Sequence, residues 1–107
     1  MRKDITIGAA VVPMESNGYL PIFYKKRFGA DMFHDIRVYS DAAKKGDADF
    51  EAIFKLAYAM ARLADPELPD FEDWLAQYEL FDLVGAAEEI LKLWQTTNAP
   101  TSKTKKK

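Results

Sequence analysis

The sequence predicts a mainly α fold: a compact helical domain of about five helices, with room for a short β-hairpin at the N-terminus. Three observations lead there. Between Phe50 and Ala64, apolar residues recur at spacings of mostly three and four, the strongest helical period in the chain. Glycine, proline and aspartate then punctuate the remainder at helix-length intervals. Finally, 107 residues with 49% hydrophobic and 30% charged side chains have the composition of a soluble globular domain with one modest core. The expected organisation is a single domain over residues 1–95 and a flexible basic tail over 96–107.

Ile5, Ile7, Val11 and Val12 flank "GAA", the pattern of two short strands around a glycine-containing turn, with Pro13 limiting the second strand or placing it at an edge. "ESNG" at 15–18 reads as a turn. A helix follows, with Pro21 in its first turn, Leu20, Phe23, Tyr24 and Phe28 on an apolar side, and Gly29 as a left-handed stop. Asp31 is the N-cap expected for a second helix running toward Tyr39 through Met32 and Ile36.

"SDAAKKGDAD" reads as a flexible connector. Asp49 then caps the main helix, where Phe50, Ile53, Phe54, Ala57, Ala61 and Ala64 form one row and Leu56, Met60 and Leu63 a second, so that more than one side is covered. "DPELP" ends it, since Pro66 disfavours a helical Asp65. Asp70 is the expected cap of a short helix with Phe71, Trp74, Leu75 and Tyr78, and Asp82 the expected start of a last helix carrying Leu83, Ala87, Ile90, Leu91 and Trp94, weakened locally by Gly85. "NAPTSKTKKK" lacks apolar anchors and is expected to be disordered.

Several function classes fall away. With no cysteine there is no disulfide or thiolate chemistry. No apolar run approaches the roughly 20 residues that span a bilayer, and "MRKDITIGAA" has an aspartate ahead of any apolar run, so a cytoplasmic protein is expected. Residues 65–94 carry nine acidic side chains against Lys92 alone, a surface that opposes phosphate backbones and favours solubility or a basic protein partner.

His34, between Asp31 and Asp35, lacks the converging nucleophile, stabiliser or ligand set that catalysis or metal binding needs. Glu72 with Asp73 and Glu88 with Glu89 read as solvated faces. No catalytic residue, metal ligand or cofactor is expected. In "YKKRF", Lys25, Lys26 and Arg27 have the chemistry for phosphates, with Tyr24 and Phe28 for stacking on bases. The spacing of four between those rings fits a helix face better, which leaves the basic triplet for an acidic protein partner. The four tail lysines, without an adjoining basic face or a lipid anchor, predict neither nucleic-acid nor membrane binding of any strength. Phe71, Trp74, Tyr78, Phe81 and Trp94 supply more aromatic surface than two short helices need, so they join the triplet, Tyr24 and Phe28 as candidate protein-binding residues.

Four stretches taken in order, "YKKRFGADMF", "LAYAMARLADP", "WLAQYELFDL" and "EILKLW", together with the lysine-ending tail, resemble the tail assembly chaperones of long-tailed bacteriophages and prophages of Gram-positive bacteria. The resemblance covers about residues 11–95. It implies a small, mostly helical, non-enzymatic protein of the host cytoplasm, absent from the mature virion. Its implied partners are the tape measure protein, which it keeps soluble, and tail tube subunits, which it helps recruit. Self-association into rings or a spiral, and a longer form made by a frameshift, are further implications. Members often place threonine before and arginine after the first-helix proline, where this chain has Leu20 and Ile22, losing a cap and a charge. A minor structural tail-completion protein and a small DNA-binding regulator are the competing classes; the second requires a coherent basic face that the chain lacks outside 25–27 and the tail.

Overall fold

A computed structural model describes residues 1–47 and 49–98. It shows a mainly helical domain headed by a β-hairpin. Strand β1 (Arg2–Ile7) pairs antiparallel with β2 (Ala10–Glu15), Ile5 opposite Val12 and Ile7 opposite Ala10. Alternation puts Ile5, Ile7, Val12 and Met14 on the buried face and Asp4, Thr6, Val11 and Pro13 on the outer one. The connection is two residues long. Gly8 has φ of 63° while Ala9 stays negative, the pattern of a II′ turn with glycine in first place.

Pro13 does not end its strand, and β2 is an edge strand, as the other expectation for Pro13 had it. Met1 and Ser16 exchange backbone hydrogen bonds of 2.7 and 2.8 Å. Counting back by twos, as an antiparallel ladder alternates, puts the Asp4–Pro13 pair at a position without ladder bonds, so the missing amide hydrogen costs the sheet nothing.

Asn17 Oδ1 accepts from the Tyr19 amide at 2.9 Å, an Asx turn that launches α1 (Leu20–Phe28) with proline in its first turn. Gly29, at φ 69°, closes it, donating its amide to the Lys25 carbonyl. Helix α2 (Met32–Lys44) begins as expected: the Asp31 carboxylate accepts from the amides of Phe33 and His34 at 2.9 and 3.2 Å.

That helix runs beyond Tyr39, through half of the stretch expected to be a flexible connector. It ends at a glycine motif instead. Gly46 is at φ 79°, its amide bonds to the Ala43 carbonyl, and the Asp47 amide bonds to the Ala42 carbonyl. This is a Schellman stop.

Helix α3 (Glu51–Ala64) is the axis of the domain. Asp49 Oδ1 accepts from the Glu51 amide at 3.0 Å at its entry, and an unbroken run from Leu56 to Ala61 is buried. A run apolar on all sides must be covered on all sides. The strand β2, both preceding helices and two later ones pack against it. Beyond the extended Asp65, the Tyr58 hydroxyl donates to the Pro69 carbonyl at 2.7 Å and pins the proline-containing connection onto α3.

Helix α4 (Phe71–Leu75) starts at Asp70, whose carboxylate makes no cap bond; only its backbone carbonyl joins the helix. The single last helix expected from Asp82 is two helices, α5 (Leu80–Gly85) and α6 (Ala87–Asn98). The N-cap is Glu79, and Asp82 lies within α5. The break falls directly after Gly85, the residue of weakest helical preference in the stretch. There are thus six helices among the described residues, and α6 continues to Asn98, into the segment expected to be a flexible tail. The lysines at 103 and 105–107, and the disorder expected for them, lie outside the described residues. Among the described residues no helix is long and apolar enough to cross a membrane.

Candidate protein interface

The ten candidate residues fall into three places. Five of them form a continuous seam of rings joining α1, α3 and α4. Tyr24 meets Phe28 at 5.2 Å between centroids, Phe28 meets Phe71 at 5.1 Å, and Trp74 meets Tyr78 at 5.2 Å. Tyr58 of α3, unremarked in the sequence, bridges the rest at 5.6 Å from both Phe71 and Trp74. Edge-on contacts of this kind add to the area that the rings bury. Tyr24 and Trp74, at 0% and 1% exposure, have no surface to offer a partner in this fold.

The Tyr24 hydroxyl donates to Asp35 at 2.8 Å and ties α1 to α2. Burial, then this carboxylate, push its ionisation far above the ordinary range. Burial also raises Tyr78. Arg27, the third member of the basic triplet, belongs to the seam as well. Its guanidinium lies 5.1 Å from the Phe28 ring and 6.0 Å from that of Tyr58, with Glu72 at 3.7 Å.

Lys25 and Lys26 sit elsewhere. With Pro21, Ile22, Asp31, Met32 and Phe33 they line a groove of about 430 Å³ between α1 and α2. Its walls are apolar although it opens to solvent: Ile22 is 52% and Phe33 46% exposed. Lys26 reaches over Tyr19 at 5.9 Å, and Phe33 leans on Trp94 of α6 at 5.9 Å. Trp94 is half-buried behind the groove rather than in the ring seam.

Phe81 is the third place. It is 87% exposed, beside Leu80 at 60%, on the first turn of α5 between the exposed carboxylates of Glu79 and Asp82. The helix under it is fixed, because Leu83 is buried in the core and Asp82 lies hard against Gly8 of the hairpin turn. Leu80 also edges a wider apolar hollow with Phe50, Phe54, Phe71 and Leu75, bordered by Asp49 and Glu51.

His34 is exposed and lines a shallow cleft between α2 and α3, with Asp35, Asp49, Glu51 and Lys55 among its other walls. These charges are engaged with each other or with the fold: Lys55 pairs with Glu51 at 3.3 Å, Asp49 accepts from the Glu51 amide just ahead of α3, whose N-cap is Phe50 rather than the expected Asp49, and Asp35 holds Tyr24. Among the described residues no group of three or more histidine, cysteine or carboxylate side chains is placed to hold a metal ion.

Ile22, Phe33 and Leu80 are surface residues that periodicity did not single out. Two of them had a signal of a kind: Ile22 is off the Leu20–Tyr24 side of α1, and Phe33 is off the Met32–Ile36 stripe. An apolar residue out of phase with the core stripe is a candidate for the surface. Compared with protein families, with curated proteins and with solved structures, the chain matches none.

Proposed function

We propose that this protein is a non-enzymatic chaperone of bacteriophage tail assembly, binding the tape measure protein and helping to recruit tail tube subunits in the cytoplasm of a bacterial host. One observation of the molecule carries the binding part of this reading: large apolar side chains stand exposed at two places on the domain, Ile22 and Phe33 beside the α1–α2 groove and Leu80 and Phe81 at the start of α5. Rigidly held apolar side chains rimmed by charge suit reversible cover of the apolar stripe of a helical client. The client's identity comes from the resemblance of the four ordered stretches to tail assembly chaperones.

Co-expression with a long coiled-coil tape measure protein tests it. The expected result is that the client stays in the soluble fraction, and co-purifies, only when this chain is present. Unchanged client solubility without co-purification overturns the proposal. Recovery of the chain in purified virions would favour a structural tail-completion protein instead.

A further inference from the structure

We infer that the α1–α2 groove is a docking site for an acidic amphipathic helix of a partner protein, whose apolar face fills the groove while its flanking carboxylates meet Lys25 and Lys26. The basic triplet reads in the sequence as one unit, and the structure divides it. Arg27 is taken: its guanidinium lies over the Phe28 ring, with Glu72 at 3.7 Å. Lys25 and Lys26 stand exposed at the groove, and among the described residues neither is in an ion pair. The one carboxylate of the lining, Asp31, is engaged with the backbone, accepting from the amides of Phe33 and His34 at 2.9 and 3.2 Å. Net positive charge therefore borders apolar walls, with Ile22 at 52% and Phe33 at 46% exposure.

The chemistry of the partner follows. A basic segment would set like charge against the lysines, and a wholly apolar one would strip water from them without supplying a counter-charge. Carboxylates beside an apolar face avoid both costs. Backbone chemistry then selects the shape. The groove walls are helices whose interior amides and carbonyls bond within the helix, and Pro21 of the lining has no amide to give. An extended segment would find no row of backbone donors and acceptors such as a sheet edge presents. A helix brings its own backbone bonds and offers apolar side chains at i, i+3, i+4 and i+7. The volume of about 430 Å³ lies within the range of clefts that enclose such groups.

This goes beyond the chaperone reading, because the selection for acid is read from the groove alone and its test uses synthetic peptides. Failure of the peptides would leave the co-expression result as it stands, and a client that stays insoluble would leave the groove's preference untouched. The test titrates the isotope-labelled full chain in nuclear magnetic resonance, with the amides of Ile22, Lys26 and Phe33 reporting the site. The first peptide, of about 18 residues so that it holds a helix, carries leucine on one face and glutamate on both flanks. A second has lysine for every glutamate, and a third keeps the acidic composition with a central proline that breaks the helix. The acidic helix should shift the groove amides with a dissociation constant on the order of 100 μM, as suits so small a contact. At low salt it should bind there about tenfold more tightly than the lysine peptide, a ratio that narrows as salt is added. The proline peptide should bind severalfold more weakly. Lys25→Glu/Lys26→Glu should invert the order of the two helical peptides, and Ile22→Ser should weaken both. Phe81→Ser, in the exposed Leu80–Phe81 knob at the start of α5, should change nothing at the groove.

Groove amides that stay unshifted at millimolar acidic peptide, or shifts centred on other residues, would overturn the inference. So would a lysine peptide or a proline peptide that binds the groove as tightly as the acidic helix. Should the charge-reversed variant fail to fold, Lys25→Gln/Lys26→Gln takes its place and should erase the preference for acid. Persistence of that preference without the two charges likewise overturns the inference.

Discussion

The seam of rings between α1, α3 and α4 and the knob on α5 are built from the same kinds of residue with opposite outcomes. Trp74 touches two rings and is 1% exposed; Phe81, seven positions later, is 87% exposed. What separates them is the neighbour each helix finds. Helix α4 lies against α3, whose middle turns are fully buried, whereas Leu80 and Phe81 stand exposed at the start of α5 and only Leu83 of that helix is buried. Aromatic residues on a helix therefore stabilise the fold or remain available to a partner according to the tertiary position of their turn, and the spacing alone does not distinguish the two.

The sharpest way to break that comparison is to truncate one ring from each region. Trp74→Ala removes a fully enclosed ring and should cost about 3–5 kcal/mol in denaturant unfolding, a large part of the stability of a domain this size. Phe81→Ala should change stability by no more than about 0.5 kcal/mol. Comparable losses for the two would show that the knob is packed in solution and would remove the distinction.

The core side of the molecule was legible in the sequence and the surface side was not, for physical reasons. Helix α3 announced itself because its apolar residues recur in two rows over a length sufficient for both to be read. Asp31 and Gly29 were legible because a side-chain cap and a left-handed stop depend on a single residue each. Gly46 is a stop of the same kind, but the polar run around it read as linker, and the helix beneath it was cut short at Tyr39. Asp70 and Asp82 misled because an aspartate before an apolar run has the right chemistry for a cap without having to use it. Tyr58 was invisible as the hub of the seam, since ring contacts across three helices depend on how those helices are packed.

Gly8 sharpens the comparison from the side of the knob, since the hairpin turn is what α5 leans on. Substitution by alanine places a Cβ against the Asp82 carboxylate, on a backbone whose φ of 63° disfavours any side chain. The positive φ alone should cost about 1–3 kcal/mol. Collision with Asp82 adds to it. Adding Asp82→Ala should return the collision part and leave the dihedral part, so the double variant is expected between wild type and Gly8→Ala in thermal unfolding. A double variant no better than Gly8→Ala would mean that α5 does not rest on the turn, and that the knob is less firmly held than its anchoring implies.

The smallest effect separates apolar interlocking from charge. The seam is held mainly by ring contacts, with the Asp35 carboxylate bonded to the Tyr24 hydroxyl at one end, whereas the hairpin is tied down at its edges by exposed ion pairs. The terminal ammonium holds Glu15 at 3.0 Å with Arg2 at 3.3 Å beside it, and Lys3 holds Glu89 at 3.1 Å. Hydrogen bonding from the terminal ammonium, helped by Arg2, lowers Glu15 below its ordinary 4.5 despite some desolvation, and hydrogen bonding from Lys3 lowers Glu89 below the same value. A carboxylate whose ionisation is depressed by folding takes up its proton in the unfolded chain first. Its contribution is therefore complete above the ordinary value and is lost as pH falls through the folded one. Between about pH 5 and pH 3 the wild type should lose stability more steeply than Glu15→Gln/Glu89→Gln, which has no charge left to lose at either site. The difference should be small, because exposed pairs are screened, and it should shrink further in salt. Superimposable acid profiles would show that the pairs add nothing and that the hairpin is held by its buried face alone.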